Sequence, residues 1–590
     1  MHLPSISVLL TSFKDAFIRF PMSMLFAMLT CILSVYMVEY DINEKSPVFK
    51  LLTMSIIGVP LMISAKTFSE RFNRNGIAKW IAYALGLVVL LLYMYFIAPD
   101  FESSKVVKPI RFVSVLIFSH LLVSVAPYLR VGQVEDFWEY NKQIFVNWLF
   151  GAAYGLIIFL GIAVAFLAVD NLFGVHIEFD WYVEIFLIIA SVFHPVYFLD
   201  HFPENFHRIA DDGKYSKVIL NIVKFILIPL SLLYITILYL FSIKIGVEMA
   251  LPKGWVASLV IGFSITGMLT YLLNYRLPDV FPQESPLLAW FKKWFFYLMV
   301  PLVMLLFVAI IKRVMDYGFT PPRYFVMLTA VWLGCILLYF IISKKDKIKL
   351  IPMSLIGFLA VGSLSPIDAF RVSAQSQYNR LMRMFEEKNL VIDEIIHVDT
   401  TKLMLSVPQQ ERAASMVQVL DAMNSLNNLN EHLHDKIHQD SLNSANAGLM
   451  MMNKLGLTKA GHVIQPEEFY TYIVNVNDAL HVEGYSVLLP LNIFSGEKRK
   501  DGFEFSDDQT KILWKKNNQV LATLEFKELM KNLAEKYGNG KYDIPRAELS
   551  FTFENEQYRM KLMLNAVSFG LIGTERRVNS IDGYFLYAEK

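Results

Sequence analysis

Long apolar runs in the first 365 residues constrain the fold of this chain more than any other feature of its sequence. A helix needs about 20 residues to cross the ~30 Å of hydrocarbon in a bilayer. Eleven apolar runs are present, but the second and the last are short. We therefore predict a polytopic bundle of about eleven transmembrane helices, with a range of ten to twelve. The runs cover residues 21–38, 48–64, 81–98, 112–129, 144–169, 181–199, 218–243, 255–273, 294–311, 324–342 and 349–365.

The composition of the chain excludes a protein that is soluble throughout. Hydrophobic residues make up 55% of the 590 residues and charged residues 18%, whereas a soluble domain carries about 25% charged and about 45–50% apolar residues. Lysine and arginine (54) balance aspartate and glutamate (53), so the charge gives no case for nucleic acid. Cys31 and Cys335 both lie in apolar runs, which excludes a disulfide framework and a CxxC metal site.

Basic residues between the apolar runs predict the orientation of the bundle. With the N-terminus inside, the inner loops and span ends hold 18 lysines and arginines and the outer ones hold 10, and cytoplasmic loops are the ones that carry the excess. The clearest inner anchor is the KKDKIK stretch at 344–349. We expect a multi-pass protein of the bacterial cytoplasmic (inner) membrane with its N-terminus inside. Eleven spans would divide the chain into a transmembrane domain, 1–365, and an extracytoplasmic domain, 366–590.

The composition changes at Ser365-Pro366, where we predict that a soluble α+β domain begins. Ser365 as a cap, Pro366 in the first turn and Asp368 near the positive end predict a helix to about Lys388. A second helix is predicted from Pro408. Strand patterns follow, with hairpins and one more helix. The strands are predicted at 485–493, 511–515 with 519–526, 548–554 with 557–564, and 584–588, and the helix at about 527–537.

Two short motifs carry a family resemblance. One is Tyr317–Tyr324 (YGFTPPRY), which leads into the apolar run at 325–339. The other comprises Gln375 and Gln377–Leu381 (QYNRL), just after the last run. With these motifs, residues 10–390 resemble the bacterial integral membrane proteins of the domain of unknown function 4153 family. The resemblance implies a many-spanning bacterial membrane protein of unassigned activity, and it brings no catalytic residues with it.

Charged residues around the first motif form a candidate binding platform. Under the predicted topology they share the outer face with the start of the soluble region. Such a platform could bind an anionic headgroup or dock the C-terminal domain. The alternative interpretation is ordinary interfacial charges whose apolar stems lie along the bilayer. The candidates are Lys312, Arg313, Asp316, Arg323, Asp368 and Arg371.

Two of the candidates are ionisable residues within predicted spans. A charge at mid-depth costs about 3 kcal/mol, so such residues are functional candidates. His194, followed by Pro195, could belong to a proton relay or a metal site. Lys224 lies near Pro229, and a broken helix there could mark a substrate site. The alternatives are a neutral, hydrogen-bonded histidine and a lysine that extends to the interface.

No motif in the sequence indicates catalysis. The chain has no P-loop, no GxSxG elbow and no kinase signature, and we predict no catalytic, cofactor or metal site. The layout favours a non-enzymatic envelope scaffold or accessory protein, with the lipid bilayer and an envelope protein as partners. The many spans support an alternative, a transporter or handler of a lipid-linked or anionic substrate. A second alternative is a membrane transferase acting on a lipid-linked substrate. A deep polar cavity would favour the transporter or handler.

Overall fold

The computed structural model contains two compact units, Met1–Leu457 and Thr458–Lys590, which are described separately. Within the described residues, the first unit is helical apart from one short hairpin, and the second consists mainly of strands. The structure describes residues 6–43, 46–72, 76–98, 106–129, 133–204, 206, 214–248, 255–284, 286–343, 347–397, 405–438, 442, 446–457, 468–474, 482–494, 502–506, 511–516, 519–525, 531–533, 536, 541–554, 557–572 and 575–590.

The first unit is a bundle of long helices preceded by a short one, α1 (Ile6–Arg19). Ten of the described helices are long and apolar enough to cross a bilayer. A bent pair of helices, α15 (Leu350–Leu364) and α16 (Ala369–Glu386), at 47° to each other, brings the number to eleven if the pair counts as one span. Each of the eleven predicted runs forms a helix, which confirms the polytopic bundle. The helices are α2 (Pro21–Glu39), α3 (Pro47–Phe72), α4 (Gly76–Phe96), α5 (Val107–Val125), α6 (Val134–Phe173), α7 (Phe179–Ile188) with α8 (His194–Asp200), α9 (Lys214–Ile222) with α10 (Ile228–Glu248), α11 (Trp255–Asn274), the short α12 (Leu277–Val280), α13 (Pro286–Tyr317), α14 (Pro321–Ile342) and α15 (Leu350–Leu364).

Helix α6 is much longer than the apolar run that predicts it. It has 40 residues and begins ten residues before the run. Its first turns contain Glu135, Asp136 and the buried ion pair of Glu139 with Lys142, which lower the local hydropathy. The same turns bury the aromatic rings of Trp138 and Tyr140. Hydropathy therefore locates the part of a helix that crosses hydrocarbon and misses the part that packs beyond it.

Two spans continue through a π-helical turn where the sequence suggests a break. Residues Ile189–Phe193 join α7 to α8 just before Pro195, and Val223–Leu227 join α9 to α10 just before Pro229. A proline has no N–H for the carbonyl four residues earlier and its ring crowds that carbonyl. The wider π turn accommodates the proline while the helix goes on.

Four helices and two short strands follow the spans among the described residues of the same unit. Helices α16, α17 (Val407–Ala422), α18 (Asn427–Asn430) and α19 (Ala447–Lys454) surround a second apolar core, and β1 (Val391–Ile392) pairs with β2 (Ile395–Ile396). The N-cap of α16 is Asp368, and Ser365 does not have that role. The Asp368 carboxylate accepts hydrogen bonds from the backbone of Phe370 (3.1 Å) and Arg371 (2.8 Å). The domain boundary after residue 365 stays a prediction.

The second unit contains two sheets. A six-stranded sheet has the order β4-β11-β10-β3-β8, with β9 also paired to β10, and a three-stranded antiparallel sheet has the order β5-β6-β7. The predicted strand at 485–493 and both predicted hairpins are confirmed, whereas most of the helix predicted at 527–537 lies outside the described residues. The strands are β3 (Glu468–Val474), β4 (Val487–Phe494), β5 (Gly502–Phe505), β6 (Lys511–Lys516), β7 (Gln519–Glu525), β8 (Lys541–Ile544), β9 (Ser550–Glu554), β10 (Tyr558–Ile572) and β11 (Glu575–Glu589).

Candidate functional site

The two motifs of the family resemblance contact each other across the end of the bundle. The Gln377 side-chain amide donates hydrogen bonds to the carbonyls of Tyr317 (3.1 Å) and Phe319 (2.6 Å). Arg380 donates to the carbonyls of Met315 (3.1 Å) and Asp316 (2.6 Å). The turn between α13 and α14 is thus held against α16 by side chains that bind its backbone.

A glycine makes this close approach possible. Gly318 has a φ of 72°, in the left-handed region that residues with a side chain rarely adopt. A Cβ at this position would lie 2.6 Å from Cδ of Arg380 and 2.9 Å from Nε2 of Gln377. Glycine at residue 318 therefore allows both the sharp turn and the contact with α16.

Arginine side chains surround a cavity of about 350 Å³ at this junction, which we call the arginine pocket. Helices α13, α14, α16 and α17 form its walls. Arg323 comes from α14, Arg380 and Arg383 from α16, and Arg412 from α17. The full lining is Asp316, Tyr317, Thr320, Arg323, Gln377, Arg380, Arg383, Met384, Glu387, Gln409, Arg412, Ser415, Met416 and Val419.

The positive charge of the arginine pocket is not neutralised by ion pairs. Asp316 and Glu387 line the pocket, but neither carboxylate pairs with any residue that the structure describes. The side chains of Arg383 and Arg412 likewise have no hydrogen bond or ion pair within the described part of the chain. Guanidinium groups bind phosphate and carboxylate oxygens in a two-pronged geometry. The pocket is therefore equipped to hold an anion.

Other polar groups of the pocket hold its shape. Nη1 of Arg323 donates to the carbonyls of Tyr317 (3.2 Å) and Gly318 (3.0 Å), and its guanidinium lies 5.3 Å from the centre of the Tyr317 ring. Nε of Arg380 is buried and has no hydrogen-bond partner among the described residues. A buried donor without an acceptor is costly, so an acceptor supplied by a ligand would lower this cost.

The structure separates the six residues of the predicted platform. Asp316 and Arg323 line the arginine pocket, whereas Lys312 and Arg313 lie about a turn earlier on α13, outside its lining. Asp368 is 1% exposed and forms a 2.7 Å ion pair with Arg111 of α5. We call this pair with its hydrogen bonds the Asp368 junction. The side chain of Arg371 is exposed.

The two candidates within spans also lie apart. His194 is the first residue of α8 and lines a cavity of about 610 Å³ among α2, α3, α5, α6, α7 and α8, which we call the intramembrane cavity. Lys224 lies in the other π turn and pairs with Glu284, so its charge is compensated. Lys224 lines neither cavity. His194 therefore lines one cavity, and Asp316 with Arg323 lines another.

Two arginines of the pocket are not among the candidates predicted from the sequence. Arg383 is three residues after Arg380, and this spacing places both side chains on one face of α16. The spacing could therefore have identified Arg383 as a neighbour of Arg380. Arg412 comes from α17, and no spacing in the sequence connects it to α16. The described residues bring no three His, Cys, Asp or Glu side chains together as a metal site.

The fold and the two cavities define a multi-pass α-helical membrane protein with a strand-rich C-terminal unit. Residues 25–385 match the sequence model of the family described as Domain of unknown function (DUF4153), and the chain belongs to this family. A similar protein is the Uncharacterized protein PM1469 of Pasteurella multocida, 28% identical over 219 residues. The match covers 36% of this chain and 36% of that relative, about a third of its length. No solved structure matches the chain.

Proposed function

We propose that the protein is a handler of an anionic, lipid-linked substrate and binds its phosphate head in the arginine pocket. The observation that carries this proposal is the set of four uncompensated arginines, two of them without any partner among the described residues. Asp316 and Glu387 lower the net positive charge of the lining to about two, enough to favour a phosphate or diphosphate group. The pocket volume of about 350 Å³ suits a headgroup.

The position of the pocket supports a ligand that is anchored in lipid. The pocket lies where the apolar helix α13 ends and α14 begins, at the end of two spans. Met315 and Ile367 beside this junction are 72% and 61% exposed. Exposed apolar side chains at span ends are typical of the bilayer interface. A lipid-linked phosphate could therefore occupy the pocket while its chain stays in the membrane.

We further propose that the pocket faces the outside of a bacterial inner membrane. The support is the excess of lysine and arginine in the loops on the side of the N-terminus. Eleven crossings would bring α16 to the opposite side. The envelope scaffold that the sequence favours stays a prediction, supported by the division into two units. The membrane transferase also stays a prediction, with Asp316, one of the two carboxylates that line the pocket, as its candidate acid or base.

Binding by the purified full-length protein in detergent tests the proposal. The probes are farnesyl diphosphate, which carries a lipid chain, and inorganic diphosphate, and calorimetric titration gives the dissociation constants. Arg383→Gln and Arg412→Gln remove exposed guanidiniums that have no described partner, so the fold should tolerate them. Each should weaken farnesyl diphosphate binding about tenfold, equivalent to about 1.4 kcal/mol. Lys312→Gln, outside the lining, is the matched control and should bind normally.

The two probes separate the sources of the phosphate. Binding of farnesyl diphosphate at least tenfold tighter than inorganic diphosphate supports a lipid-linked substrate. Equal affinity for the two probes contradicts the lipid link and indicates a free anion. If neither probe binds, or both glutamine variants bind as well as the natural sequence, the arginine pocket is not an anion site.

A further inference from the structure

The intramembrane cavity differs from the arginine pocket because its lining contains no charged side chain. Its volume of about 610 Å³ lies in the range of sites for drug-sized ligands. All of its 21 lining residues belong to spans, and 15 are apolar. A charged solute would lose its hydration there without gaining a counter-charge. The cavity therefore suits a neutral, lipophilic ligand.

Most polar groups of this lining are already hydrogen-bonded. The hydroxyls of Thr30, Ser34 and Ser191 donate to carbonyls of their own helices at 2.5–3.1 Å. The Asn141 amide accepts from Ser124 Oγ (2.5 Å) and donates to the carbonyl of Phe137 (2.8 Å). The remaining polar lining residues are His120 and His194, which decide what the head of a ligand must offer.

The hydrogen bonds of the two histidines define their tautomers. Nδ1 of His120 lies 2.8 Å from the carbonyl oxygen of Leu116, and Nε2 of His194 lies 3.3 Å from that of Trp148. A carbonyl can only accept, so each of these ring nitrogens carries the hydrogen. In a neutral imidazole the other nitrogen is then an acceptor. Neither acceptor nitrogen has a partner among the described residues.

The packing around His194 fixes its ring. The ring lies edge-on to Trp148, with 5.9 Å between centres, and is parallel to Phe198 at 6.5 Å. Gly151 of α6 allows this packing, because a Cβ there would be 3.1 Å from Cδ2 of His194. The ring of His120 is exposed in the transmembrane part of α5, which leaves the cavity open to lipid on that side.

We infer that the intramembrane cavity binds a neutral lipid whose head donates hydroxyl hydrogen bonds to His120, to His194 or to both. The oxygen of a carbonyl or ether head can only accept hydrogen bonds, and so can the free ring nitrogens of the two histidines. Such a head would therefore form no hydrogen bond with either ring. Two sources share the required chemistry: a hydroquinone with two hydroxyl groups and a long-chain alcohol with one. This site is independent of the arginine pocket and of the function proposed for it.

Ligand pairs that differ only in hydrogen-bond donors test the inference on the full-length protein. The probes are decylhydroquinone, its dimethyl ether and farnesol, at a fixed detergent concentration, with thermophoresis and the shift in unfolding temperature as readouts. The ether keeps the ring and the chain but has no donor, so it controls for partition into micelles. We expect decylhydroquinone, farnesol or both to bind saturably, and the ether to bind at least tenfold more weakly than decylhydroquinone.

Variants assign the binding to the two histidines. For decylhydroquinone, His120→Leu and His194→Leu should each weaken binding about tenfold, whereas farnesol, with one hydroxyl, should lose affinity in only one of the two variants. His120→Gln and His194→Asn, which restore an acceptor, should recover part of the lost affinity. His201→Leu is the matched control, since His201 directly follows α8 and is outside the lining, and it should bind normally.

The possible results either distinguish a hydroquinone from a long-chain alcohol or show that the intramembrane cavity is not a binding site for such lipids. Binding of decylhydroquinone alone identifies a quinol, and binding of farnesol alone identifies a lipid alcohol. The inference is overturned if neither binds, if the ether binds as well as the hydroquinone, or if the leucine variants bind like the natural sequence. If a leucine variant does not fold, the comparison of ether and hydroquinone on the natural sequence still decides.

Discussion

The Asp368 junction and the arginine pocket contain the same kinds of side chain but use them differently. At the junction, Arg111 pairs with Asp368 at 2.7 Å and donates to the carbonyl of Ser363, and the carboxylate also caps α16. In the pocket, Arg383 and Arg412 have no partner among the described residues, and the carboxylate of Asp316 is unpaired. The type of charge does not distinguish a structural site from a binding site. The distinguishing property is whether the hydrogen-bonding capacity is already used.

The largest expected effect contrasts the two aspartates. Asp368→Ala leaves Arg111 without its counter-charge and removes the cap of α16. Breaking a buried pair costs about 3–5 kcal/mol, and losing a cap about 1 kcal/mol. We expect the free energy of unfolding to fall by about 4 kcal/mol. Asp316→Ala should change it by less than about 0.5 kcal/mol, as measured by denaturant unfolding in detergent. Equal effects of the two substitutions would refute the distinction between the two sites.

A smaller effect is expected at the turn that shapes the arginine pocket. Gly318→Ala places a side chain at φ 72° and within 2.6 Å of Arg380. Such strained backbone costs about 1–3 kcal/mol. We expect a loss of about 2 kcal/mol in stability, together with weaker binding of farnesyl diphosphate because Arg380 must move. Gly357→Ala in α15 is the control, since its Cβ meets nothing within 4 Å. Unchanged stability in both variants would show that the turn tolerates a side chain.

The next prediction separates charge from geometry in the arginine pocket. Arg383→Lys and Arg412→Lys together keep the positive charge but lose the planar fork that holds two oxygens at once. We expect about tenfold weaker binding of farnesyl diphosphate and an unchanged free energy of unfolding. Arg371→Lys, an exposed site beside the Asp368 junction, should affect neither quantity. Full affinity in the double lysine variant would mean that the pocket only attracts anions and does not orient them.

The sequence predicts the bundle well because hydropathy is a local property. All eleven apolar runs become helices, but the first turns of α6 and the π turns before Pro195 and Pro229 depend on packing. In the second unit, β10 and β11 extend well beyond the strands predicted at 557–564 and 584–588. Their pairing shifts register between Leu564 and Ala566, which interrupts the alternation that marks a strand.

The candidate sites are predicted only where they depend on neighbours in the sequence. Asp316 and Arg323 stand out because they flank one turn at a span end. Arg412 belongs to the same pocket through the packing of α17 against α16, a contact that spacing in the sequence does not encode. The sequence also suggests that Asp368 belongs to the platform, but Arg111, 257 positions earlier, makes it part of the Asp368 junction.

The smallest effect expected is that of salt, which should act differently on the arginine pocket and on the Asp368 junction. Ions screen exposed charges over about 10 Å at 0.1 M but screen buried pairs much less. Between 50 and 500 mM sodium chloride, the affinity for farnesyl diphosphate should fall severalfold, since Arg383 and Arg412 are exposed. The stability lost in Asp368→Ala should stay the same over that range, because Asp368 is 1% exposed. If salt reduced that loss as much as it reduced the affinity, the junction would be open to solvent. Its ion pair would then resemble the arginine pocket more than a structural contact.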